Sequence, residues 1–164
     1  MDQSARFGLA FLAPGQMQKE FYHNEALQRI DMLLCPIVEG PALSSPPASP
    51  AIGSCYLVGA GATGAWLGQE HALACFTDGG WRFVTPLDGM SLVDRASGQL
   101  IARRNGLWET GIVRGQEVQI AGQTVLRNRQ AAIANPTGGS VLDTECRSTV
   151  NSILSAMRIH GLIS

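Results

Sequence analysis

The spacing of apolar positions changes twice along the chain, from helical to alternating and back to helical. Between Gln16 and Leu34, the residues Met17, Phe21, Leu27, Ile30 and Leu34 recur at helical intervals. Lys19, Glu20, Glu25 and Arg29 fall mostly off that stripe and can face water. Pro14 and Gly15 precede the run, and Pro36 follows Cys35. The pattern therefore predicts a first helix over Gln18–Leu34. A stripe this apolar has to pack on something. Ahead of it, Phe7 to Leu12 is a short apolar piece that reads as a strand or as an extended arm packed on a neighbour.

From about Cys55 to Leu126 the pattern alternates in short runs. Cys55–Val58, Ala72–Phe76, Trp81–Val84, Ser91–Asp94, Gln99–Arg103, Leu107–Thr110, Glu117–Ile120 and Gln123–Leu126 read as strands, and Ile37-Val38-Glu39 is the start of another. Asp78-Gly79-Gly80, Arg104-Asn105-Gly106 and Ala121-Gly122 supply the positive φ of tight hairpins. The segments DGGWRF and RNGLWET look like two copies of one device, each with a Trp just after a Gly turn. The predicted arrangement is one small twisted sheet or barrel.

Helical spacing returns near the end. Cys146, Val150, Ile153, Met157 and His160 step by four, three, four and three, an a/d seam about two heptads long. Asp143 suits the N-cap, Glu145 follows in the first turn, and Gly161 ends the helix. This second helix either docks on its own subunit or forms an oligomer seam through Cys146, Val150, Ile153 and Met157. The fold class is α+β: N-terminal helix, central small antiparallel β module, C-terminal helix. The expected division is an arm and helix over 1–40, a Pro/Ser-rich connector over 41–53, a β module over 54–127, and a linker with the second helix over 128–164.

Composition narrows the function classes. A chain of 164 residues with 45% hydrophobic and 15% charged residues is folded and long enough for a real core. A net charge of −1 leaves no electrostatic footprint for nucleic acid. The start of the chain lacks the pattern of a signal peptide, and no long apolar run predicts a membrane span. Cys35, Cys55, Cys75 and Cys146 form no C-x-x-C pair and read as small buried hydrophobes in a reducing cytosol.

Candidate chemistry is sparse. Gly59-Ala60-Gly61-Ala62-Thr63-Gly64 matches G-x-G-x-x-G after a strand, but the next strand begins too soon for a crossover helix. It reads as a turn before a short helical piece, and no cofactor is expected. His23, His71 and His160 lie far apart, and Asp78, Asp88 and Asp94 sit at turns, where they cap N–H groups. No metal site and no catalytic residue are expected. Trp81 and Trp108 read as core; Trp66 is either core or a candidate glycan contact. On the first helix Phe21, Asn24, Leu27 and Ile30 are the candidate packing residues. Asn24 with its neighbours reads as a polar network that fixes how the arm or another subunit packs.

The first helix carries a family pattern close to L-x-x-x-Q-x-Q-K-E-x-x-x-N-E-A-L-x-x-L-D. Here it falls on Leu12, Gln16, Gln18, Lys19, Glu20, Asn24, Glu25, Ala26, Leu27, Ile30 and Asp31. PPASPAIGSCYLVGAGATGAWLGQ, DGGWRFVTPLDGM and GGSVLDTECRSTVNSILSAMRIHGLI extend the likeness over nearly the whole chain. With these segments the chain resembles the DUF2793 family of phage-type proteins, found in prophages and gene transfer agents in association with fibres and spikes. That resemblance carries no enzymatic residues. It implies a virion protein assembled in the bacterial cytoplasm, a head spike or tail fibre component that attaches to the host surface or anchors a receptor-binding fibre. The implied partners are itself, as a homo-oligomer and by preference a trimer, other capsid, spike or tail proteins, and host surface polysaccharide. An enzyme acting on cell-surface polysaccharide is the alternative.

Overall fold

The computed structural model describes residues 3–13, 15, 19–141 and 143–164. Pro14, Gln16, Met17 and Gln18, part of the expected helix start and of the family pattern, lie outside the described residues, as does Leu142. Two compact units form, Met1–Ile112 and Val113–Ser164. The fold class is the expected α+β one.

In the first unit, α1 spans Lys19–Leu34, and β1 (Ile37–Val38) follows directly. Strands β2 (Cys55–Leu57), β3 (Leu73–Thr77) and β4 (Gly80–Val84) make an antiparallel three-stranded sheet. Strands β5 (Ser91–Asp94), β6 (Leu100–Arg104) and β7 (Leu107–Thr110) make an antiparallel run, and β1 adds to its edge parallel to β5. Within this unit alone the expected single sheet is therefore two. After Val84 the chain meets Pro86, which has no N–H to continue a ladder, and β5 begins a separate sheet instead of pairing with β4.

The two sheets share one core. Val38, Cys55, Leu57, Leu73, Cys75, Leu92 and Ile101 meet there with Met32 of α1, and Val84, Met90 and Trp108 pack at its margin. The opposite face of the three-stranded sheet carries a second cluster. Val58, Ala62, Trp66, Ala72 and Ala74 are buried there, with Tyr56, Trp81 and Phe83 packed against them. The glycine-rich stretch after β2 delivers Trp66 to this cluster. Gly64, at φ +60°, opens a three-residue 3-10 helix that ends at Trp66. A Cβ on Gly59 would lie 3.3 Å from the Leu43 backbone, so the close approach of the connector accounts for that glycine.

Hairpin chemistry follows the sequence. Asn105 and Gly106 both have positive φ, as a two-residue type I′ turn requires. At the β5–β6 turn, Asp94 is buried and accepts from Ser97 Oγ at 2.6 Å and from Ala96 N at 2.9 Å. The Ser97 hydroxyl first, and the Ala96 N–H second, hold its carboxyl below the ordinary value of 3.8. A carboxylate bonded in this way only when folded adds stability above its unfolded-state pKa and loses it as pH falls through the lower folded value. Urea melts at stepped pH are expected to show wild type losing its advantage over Asp94→Asn below about pH 4. An advantage that is flat with pH would mean the carboxylate is not used.

In the second unit, β8 (Val118–Ile120) and β9 (Gln123–Leu126) form a hairpin, and α2 spans Thr144–Ile159. The boundary thus falls after Ile112 rather than near Arg127, and the last predicted hairpin groups with the second helix. The reason lies in the pairing: among the described residues β8 bonds to β9 alone.

Candidate functional site

Helix α1 faces its own unit with polar side chains. Asn24 accepts from Leu12 N at 2.9 Å and donates to Leu12 O at 3.2 Å, closing a two-bond clamp on the arm. Arg82 of β4 donates from Nε to both carboxylate oxygens of Glu25, at 2.9 and 3.1 Å. Asp31 is 3% exposed and takes Ser4 Oγ and Phe7 N on one oxygen, both at 2.7 Å, and Arg6 N on the other at 3.0 Å. The Arg6 guanidinium then bonds the carbonyls of Asp31, Met32 and Cys35, which the helix end leaves without partners. The apolar piece of the arm is thus a short bent segment, bridged between Gln3 and Ala10 and held by main-chain bonds to a helical carboxylate.

This arrangement turns the apolar stripe outward. Tyr22 is 76% exposed and Phe21 62%, with their rings edge to face at 5.5 Å; Ile30, Leu33 and Leu34 are exposed as well. Of the expected packing residues, Asn24 and Leu27 are half-buried, while Phe21 and Ile30 face solvent. Those two are therefore not covered by their own chain among the described residues. Met32 and the polar anchors take the inner side because the arm's N–H groups need acceptors there.

Tyr22, Ala26, Ile30 and Leu33 recur every three to four residues and are all exposed, so they line one outward seam. Lys19, His23 and Arg29 are exposed too, whereas Glu20, Glu25 and Asp31 are buried or half-buried. The outer surface of α1 is apolar with a basic rim.

The second unit shows a similar imbalance. Asp143 caps α2 by accepting from Cys146 N at 2.8 Å. Arg147 donates to the carbonyls of Pro136 and Gly138, and Arg158 to those of Ile133 and the Asn135 side chain, so two guanidiniums fasten the helix to segment 133–138. The chain end pairs with Gln130 through Gln130 N to Leu162 O and Ser164 N to Gln130 O. Yet Leu154 and Ile163 are the buried apolar side chains of this unit among the described residues. On the predicted seam, Cys146, Val150 and Ile153 are exposed, Ile153 by 54%, and Met157 is half-buried. Val113, Val118, Ile120, Val125, Leu126 and Ile159 are exposed as well.

The aromatic candidates separate by face. Trp66 is 0% exposed and cannot offer a ring face to a sugar, which corrects its reading as a candidate glycan contact. It meets Trp81 edge to face at 5.0 Å and Tyr56 at 6.0 Å, filling the space that Ala62, Ala72 and Ala74 leave above the sheet. Trp81 and Trp108, despite their matching turns, serve different surfaces. Trp81 joins the aromatic cluster. Trp108 lies under the Arg103 guanidinium at 5.4 Å and donates its indole N–H to His71 O at 2.8 Å. Two of the four cysteines, Cys35 and Cys146, are exposed rather than buried, because each sits near a helix end that faces water. The arm anchors Ser4, Arg6 and Asp31 were not singled out from the sequence, although Asp31 closes the family pattern.

The fold and these surfaces define a small α+β protein with four-, three- and two-stranded sheets and outward apolar helix faces. Residues 23–109 match the family described as "Protein of unknown function (DUF2793)", and the chain belongs to that family. No curated protein matches it.

Proposed function

We propose that the chain is a structural component of a phage-like particle, a head spike or tail fibre protein that works as a homo-oligomer, by preference a trimer. In this reading it is assembled in the bacterial cytoplasm and attaches the particle to host surface polysaccharide, or anchors the fibre that does. The observation that carries the assembly claim is the second unit. About fifty residues with two buried apolar side chains among the described ones hold too little core to stand alone. Copies that join along α2 supply the missing core, and closed symmetry is the usual way to do so. The outward seam of α1 supports the same reading. The particle assignment rests on the likeness of the chain's segments to proteins of prophages and gene transfer agents.

Light scattering on the full chain at micromolar concentration is expected to give an oligomer. Ile153→Asp places an unpaired charge in the seam, which costs several kcal/mol where buried, and is expected to dissociate it while the first unit stays folded. A monomeric wild type refutes the assembly claim. The particle role is tested by electron microscopy and an adsorption assay on particles from a strain lacking this gene. Unchanged particles with unchanged adsorption refute it.

A further inference from the structure

The shared core holds two thiols that face each other across a ladder. Cys55 of β2 and Cys75 of β3 are direct register partners, both free and both buried. Phe76 N donates to Ser54 O, and Val58 N to Ala72 O, each at 3.0 Å, so those flanking pairs are the hydrogen-bonded ones. Alternation makes Cys55–Cys75 a non-hydrogen-bonded pair, in which Cα atoms lie about 4.5 Å apart and side chains lean together. Disulfides form across Cα separations of about 4.4–6.8 Å. Each thiol donates to a nearby main-chain carbonyl, Cys55 Sγ to Gly53 O at 3.8 Å and Cys75 Sγ to Phe76 O at 3.9 Å. The neighbouring Cys75 thiol holds the pKa of Cys55 down against the effect of burial, while the Cys55 thiol and burial together push that of Cys75 up. One thiol is thus the better nucleophile and the other keeps its proton.

We propose that Cys55 and Cys75 are an oxidisable dithiol, converted by a peroxide into a disulfide that staples β2 to β3. The Cys55 thiolate attacks a peroxide oxygen and the O–O bond breaks. A sulfenic acid forms on Cys55, and the departing hydroxide takes up the thiol proton as water. Cys75 sulfur then attacks the sulfenic sulfur: the S–S bond forms, the S–O bond breaks, and the hydroxyl leaves with the Cys75 proton as a second water. Two thiols are oxidised and one peroxide is reduced to two waters. Access comes through the edge of the sheet. β2 is an edge strand whose outer side is covered by Glu39 N to Cys55 O and Leu43 N to Leu57 O, bonds that local opening breaks. Excess dithiothreitol reverses the staple by thiol–disulfide exchange. The thiols stay reduced in a glutathione-poised compartment, and the staple forms when the protein meets oxidant outside one.

The test uses the full chain carrying Cys35→Ser and Cys146→Ser, both at exposed positions, so that the core pair is the sole source of thiols. Equal melting of this reduced variant and reduced wild type checks that the fold is kept. The protein is titrated with hydrogen peroxide, unfolded in guanidinium with iodoacetamide, and weighed. The expected product is lighter by two hydrogens, takes no alkyl group, and yields a linked pair of peptides containing Cys55 and Cys75. Its melting temperature rises by several degrees and falls back with dithiothreitol. Two alkylated thiols after peroxide, a sulfinic or sulfonic acid, or a bond between chains would each overturn the proposal.

Discussion

Asp31→Ala is expected to release the arm from α1 and to lower stability by about 3 kcal/mol. The carboxylate receives three donors from one short segment: the Ser4 hydroxyl and the N–H groups of Arg6 and Phe7. Hydrogen bonds to a charged acceptor contribute about 1.5–3 kcal/mol each, and three that share one residue do not add fully. The loss spreads to the helix end, because Arg6 reaches the carbonyls of Asp31, Met32 and Cys35 only while its own backbone is pinned. Asp31→Asn is the sharper comparison. Its carbonyl oxygen still accepts from Ser4 and Phe7, but its NH2 group faces the Arg6 N–H, donor against donor. An intermediate loss of about 1–2 kcal/mol is expected. Urea unfolding gives the free energies, and limited proteolysis reads the arm directly, since a freed arm is cut before the sheets unfold. If Asp31→Ala lies within about 0.5 kcal/mol of wild type and the arm stays protected, the anchor is not where the stability resides.

Asp31 also shows where sequence reading reaches its limit. The hairpins were legible because Asn105-Gly106 sets its own turn geometry locally. Helix α2 was legible because Asp143 marks its start, capping the first turn by accepting a main-chain N–H. The orientation of α1 was not. Periodicity assumes that apolar residues face inward, and here the inner side is chosen by acceptors for a strap of backbone. The available signal was polar: Asn24, Glu25 and Asp31 share a face, and all three belong to the family pattern. The pairing of β1 with β5 was equally hidden, since a two-residue parallel contact across more than fifty positions leaves no local mark.

Trp66 was hidden for a different reason, since it ends a three-residue 3-10 helix too short to show a period. Its environment was nonetheless written in Ala62, Ala72 and Ala74, small residues that leave room for one large ring. Trp66→Ala empties that room and is expected to cost about 3–5 kcal/mol, the range for deleting a buried aromatic. Tyr56 and Trp81 would lose their shared neighbour, so near-ultraviolet circular dichroism should weaken along with stability. Trp66→Phe separates volume from polarity. The Trp66 Nε1 is buried and finds no acceptor among the described residues, a desolvation penalty of about 1–3 kcal/mol that phenylalanine does not carry. The smaller ring leaves a cavity that opposes this gain, so a net change within about 1.5 kcal/mol is expected. Denaturant melts of both variants decide the matter. A harmless Trp66→Ala would mean the ring is not core, and a Trp66→Phe as damaging as the alanine would mean that its N–H has a partner that matters.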